Sequence, residues 1–75
     1  MKLNELNEGQ SAVVTKISLS GDIRRRLYDL GLIKGTKVSC EIISPMGNPI
    51  AYNIRGAVIA LRNSDADKIF IKCQG

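Results

Sequence analysis

Histidine and tryptophan are both absent from this 75-residue chain. Without histidine it loses the commonest metal ligand and the commonest general base near neutral pH, so no serine or cysteine has an imidazole partner. Cysteine occurs twice, at Cys40 and Cys73, far from the close pairing of a zinc site. Each lies in an apolar alternation, which reads as core packing. The three aromatics, Tyr28, Tyr52 and Phe70, fall at unrelated spacings and offer no stacking platform, so the net charge of +4 does not by itself indicate a nucleic-acid partner. Gly21, Gly31 and Gly35 do not form a phosphate-binding fingerprint. No catalytic residue is assigned and no cofactor is required. No apolar run approaches the roughly 20 residues that cross a bilayer, so no membrane insertion is expected. The opening MKLNELNEG has no signal-peptide core, which points to the cytoplasm.

What is present begins with one helix, expected over residues 20–30. Ser20 suits an N-cap and Asp22 the positive end of the helix dipole. Ile23, Leu27 and Leu30 fall in one apolar stripe, with Arg24, Arg25 and Tyr28 on the outer surface. Gly31 then stands where a left-handed residue closes a helix, setting Leu32 against Leu27 as in a Schellman stop. Lys34-Gly35 reads as a type II turn launching an extended segment.

Around that helix the pattern is of short strands. Leu3 and Leu6 form a helical turn sealing one end of the core. Residues 10–18 alternate moderately, and Val38, Cys40 and Ile42 alternate cleanly with Lys37, Ser39 and Glu41. SPMGNP, residues 44–49, is a surface loop, and Arg55-Gly56 a hairpin between residues 50–54 and 57–61. Asn63 or Ser64 caps one turn, and residues 69–73 make a last strand. About five strands with one inserted helix favour a mainly β fold, a small SH3-like barrel over residues 1–75 as a single domain, because curling removes most of the exposed edge.

The chain resembles the FeoA family, the small cytosolic component of bacterial ferrous iron uptake systems. The likeness starts at Leu3, Leu6 and Gly9 and runs through Arg25-Arg26-Leu27, Asp29-Leu30-Gly31-Leu32 and Gly35. It resumes at Pro45, Gly47 and Asn48-Pro49-Ile50 and ends with Gly56, Ile59-Ala60-Leu61-Arg62, Ala66 and Ile69. Lys34 departs from the pattern, since the family often has proline there. The resemblance implies an SH3-like barrel and a non-catalytic accessory protein that docks on and modulates FeoB, a membrane transporter carrying a GTPase domain. Such a protein would sit at the inner face of the membrane through its partner.

For the docking face the expected residues are Arg24, Arg25, Tyr28, Leu32 and Ile33 on the helix and its exit, with Met46 in the loop as a second candidate. The plainer readings are a solvated face for the arginines, core packing for Leu27, Leu30 and Leu32, and an ordinary turn for residues 45–49. A different class, a sensor or shuttle that binds Fe2+ directly, would have to use Cys40, Cys73, Asp65 or Asp67. A third, a peptide-binding adaptor, has few aromatics with which to line a groove.

Overall fold

The structure, a computed structural model, describes residues 1–73. A short 3-10 turn, Leu3–Glu5, precedes β1 (Ser11–Ile17), α1 (Gly21–Asp29), β2 (Lys37–Ile43), β3 (Ile50–Ile54), β4 (Ala57–Leu61), α2 (Asn63–Ala66) and β5 (Ile69–Cys73). The strands form one antiparallel sheet in the order β4-β3-β2-β1-β5. The chain leaves it at β4, on one edge, and returns at β5, on the other. Residues 62–68 make that journey, and the eight steps from Leu61 to Ile69, three of them helical, reach at most ~21 Å. Five strands laid flat span ~19 Å. So short a link leaves almost no slack across a flat sheet and goes with a curled one, as the short-strand pattern predicts.

Two β-bulges help it bend, one in β1 between Val14 and Lys16 and one in β2 between Cys40 and Ile42. An extra residue reverses which side chains face inward beyond it. In β2 the expected stripe of Val38, Cys40 and Ile42 therefore fails at its third member: Ile42 faces solvent, and Ile43 packs against the core instead. In β1 Thr15 and Lys16 are both exposed, and Ile17 turns back to the core. The remaining inward positions, among them Val14, Val38, Tyr52, Ile54, Ile69 and Ile71, fill the barrel, and Leu3 and Leu6 close one end.

The β3–β4 hairpin turns at Arg55 and Gly56, with φ of 52° and 91°. These are the positive values of a type I′ turn, which matches the strand twist. Helix α2 is held from outside itself. Its first amide, of Asn63, donates to Asn48 Oδ1 at 3.0 Å, and Asn63 Nδ2 donates to the Gly47 carbonyl at 2.9 Å. Neither Asn63 nor Ser64 caps the helix; Arg62 holds the cap position without a side-chain bond.

Candidate functional site

Helix α1 is fixed at both ends by means that differ in how visible they are in the sequence. At its C-terminus the Leu32 amide donates to the Leu27 carbonyl and the Gly31 amide to the Tyr28 carbonyl, each at 2.9 Å. This is the double bond set of a Schellman motif, and Gly31 supplies it with a φ of 98°. A side chain at Gly31 would also strike the Arg55 side chain at its Cδ. At the N-terminus Ser20 makes no side-chain cap. Arg24 ties the helix down instead, its Nη1 donating to the Leu19 carbonyl at 3.0 Å and the Ile17 carbonyl at 3.3 Å.

The exit loop is locked onto the barrel. Thr36 Oγ1 donates to the Gly31 carbonyl at 2.8 Å and accepts the Ile33 amide at 3.1 Å, while Gly35 and Thr36 exchange backbone bonds with Val14. The Thr36 amide closes back on the Ile33 carbonyl at 3.0 Å, with Gly35 at a φ of 94°, so the expected type II turn forms with lysine before the glycine.

Between the helix and this loop lies an open groove of about 270 Å³, lined by Ile17, Arg24, Leu27, Tyr28, Leu32, Ile33 and Lys34. Its floor is apolar. Tyr28, 64% exposed, and Ile33, 45% exposed, stand up as its walls, and Arg24 and Lys34 give it a basic rim. Two large apolar side chains thus stand in water beside two cations.

Of the expected docking residues, Arg24, Tyr28 and Ile33 thus come together. Leu32 lines the floor of the same groove but, at 1% exposure, is a core residue, and its amide bond to the Leu27 carbonyl completes the helix stop. Arg25 is exposed on the crest of α1 and lines neither neighbouring groove. Leu30, assigned to the dry stripe, is instead 42% exposed: it is the C-cap of a nine-residue helix that buries only Leu27 fully, with Ile23 half covered. Met46, 90% exposed, caps the tip of the 44–49 loop, well tethered below by Asn63.

The sulfur and carboxylate candidates lie apart. Cys40 is buried on β2, with β1 between it and Cys73 on β5. Burial, then the charges of Glu8 and Glu41, pushes the Cys40 thiol pKa up, which disfavours the thiolate a metal needs. Cys73 is not a core residue as expected but exposed at the strand end, its Sγ 3.3 Å from Met1 Sδ. Asp65 and Asp67 are half-buried at α2. Among the described residues no three His, Cys, Asp or Glu side chains converge. Ile17, Lys34 and Thr36 were missed by sequence reasoning, and only Lys34, beside its glycine turn, carried a local signal.

Five antiparallel strands curled into a small barrel, with one helix inserted between the first two, define the class: an SH3-like domain. An FeoA from Stenotrophomonas maltophilia, described as an SH3 domain protein and complexed with zinc, superposes with a TM-score of 0.81 at 34% identity, over 96% of this chain and 89% of that one. The FeoA protein from Chlorobium tepidum gives 0.94 at 37% identity, over 100% of this chain and 71% of that one. The chain belongs to the FeoA family, whose domain model matches residues 1–73. It is also 31% identical over 72 residues to an Fe(2+) transport protein A/Fe(2+) transporter FeoB fusion protein of Porphyromonas gingivalis. That match takes in 96% of this chain and 8% of the fusion protein's length. The family is one of ferrous iron transport. Among the described residues no helix is long and apolar enough to cross a membrane.

Proposed function

We propose that this chain is a non-catalytic accessory of ferrous iron uptake that docks on the cytoplasmic side of a FeoB-like transporter through the groove between α1 and its exit loop. The observation that carries the reading is the Porphyromonas gingivalis protein, in which the two partners are joined in one polypeptide. Fusion holds two chains at high effective concentration, which is of use where they must meet. The groove supplies the rest: Tyr28 and Ile33 as exposed anchors and Arg24 with Lys34 as a basic rim. Docking that favours one transporter conformation over another shifts the population by the difference in affinity and needs no reactive group on this chain.

Replacing Tyr28 and Ile33 together by aspartate is expected to abolish co-purification with the cognate transporter from membranes while leaving the melting temperature within a few degrees. Undiminished co-purification removes this groove from the mechanism. Direct binding of ferrous iron is a second reading, favoured by the zinc complex of the Stenotrophomonas maltophilia relative. Anaerobic titration with Fe2+ separates the two: localised NMR shifts at Cys73, Asp65 or Asp67 at micromolar metal support binding.

A further inference from the structure

The two edges of the sheet differ in how they end. Along β5 the Ile71 amide donates to the Met1 carbonyl at 2.8 Å and Lys2 bridges to Phe70, so the N-terminus covers that edge. Along β4 the described residues provide no such cover. The β3–β4 turn has two residues, which makes Ile54–Ala57 a hydrogen-bonded pair and, by alternation, Tyr52–Ile59 and Ile50–Leu61 likewise. The amides and carbonyls of Val58 and Ala60 therefore point away from β3, at the open edge. Ala57-Val58-Ile59-Ala60-Leu61 has no charge, no proline and no bulge, the devices that ordinarily blunt an exposed edge, and Val58 is 62% exposed.

Beside this edge, on the flank of α1 opposite the Tyr28 groove, runs a second groove of about 190 Å³. Leu27, Leu30 and Ile59 give it an apolar floor, and Arg26 and Arg62 outnumber the single carboxylate of Asp65. A strand laid along β4 would send every second side chain into that groove. We infer that the β4–α1 groove receives an extended aliphatic segment with acidic ends from a partner protein, added as a sixth strand. Its backbone bonds to Val58 and Ala60, its aliphatic side chains sit between Ile59 and Leu30, and its carboxylates face Arg26 and Arg62. This surface is distinct from the Tyr28 groove and stands whatever that groove binds.

The probe is a synthetic heptapeptide, Glu-Thr-Val-Thr-Val-Thr-Glu, whose valines and glutamates share one face of a strand, titrated into the 15N-labelled protein. Shifts are expected at Val58, Ala60 and Leu30 and not at Tyr28 or Ile33. Methylating the peptide's central amide nitrogens removes the donors that strand pairing needs and is expected to weaken binding at least tenfold. Val58→Pro removes an outward-facing amide without touching the β3 ladder and is expected to do the same with an otherwise well-dispersed spectrum. Arg62→Glu gives an independent arm should that variant unfold, with a several-fold loss expected. No shifts at millimolar peptide, shifts centred on Tyr28 and Ile33, or undiminished binding of the methylated peptide each overturn the inference. So does concentration-dependent broadening along β4 without peptide, which would make a second copy of this chain the occupant.

Discussion

Tyr52 is fully buried on β3, and its hydroxyl finds no hydrogen-bond partner among the described residues. An unpaired buried hydroxyl carries its desolvation cost in full, so Tyr52→Phe is expected to raise stability by about 1 kcal/mol, read as a higher urea midpoint. Cys40 faces Tyr52 across the β2–β3 ladder, and burial is the leading cause pushing both pKa values up. Above the thiol's ordinary 9.0 the unfolded chain releases a proton that the folded chain retains, so stability falls as pH rises from there, and Tyr52 adds to the decline above its ordinary 10.0. Cys40→Ala is expected to flatten the first part of that decline in melting temperature against pH, even though the cavity it leaves lowers the whole curve.

Among the elements, α1 shows how a residue on an outer face can still be structural. Arg24 was placed by periodicity on the solvent side, and it is exposed there, but its guanidinium holds the carbonyls of Leu19 and Ile17. Arg24→Glu is expected to cost about 1 kcal/mol or more, since the charge-assisted bonds are lost and a carboxylate is left facing carbonyls, whereas Arg25→Glu is expected to stay within about 0.5 kcal/mol. Thermal melts of the two single variants, side by side, check this. The same helix marks the boundary of what the sequence discloses. Its Gly31-Leu32 stop, the Lys34-Gly35 turn and the Arg55-Gly56 hairpin were legible because each depends on a local backbone requirement that few residues meet. The bulges at Thr15 and Glu41 were not, because neither residue differs from an ordinary strand residue; what makes it extra is the register of the partner strand. The Asn48–Asn63 and Arg24–Leu19 bonds were hidden for a related reason: polar side chains record no destination. Of the groove between α1 and its exit loop, Arg24, Tyr28 and Ile33 were legible as exposed helix and exit residues. Its opposite wall at Ile17 was not, since the β1 bulge decides which way that side chain turns.

At the scale of the whole molecule the barrel has a closed side, where the N-terminus covers β5, and an open side where α1 lies between two grooves. Leu27 lines both of them and is the one α1 residue fully buried against the barrel. A domain of 75 residues has little reserve, and truncating a buried leucine removes about 2–5 kcal/mol, a large share of the roughly 5–15 kcal/mol such folds possess. Leu27→Ala is therefore expected to loosen the helix from its seat and impair binding at both grooves together, with a melting temperature lowered by ten degrees or more. Surface changes at Tyr28 or Arg62, by contrast, leave the seat intact and act on one groove at a time. Hydrogen exchange distinguishes a seat from a mere contact: in Leu27→Ala the amides of α1 and residues 31–36 should lose protection before those of β2 and β3. Equal loss throughout would mean that helix and barrel unfold as one unit, and that α1 is part of the core rather than a separable platform laid over it.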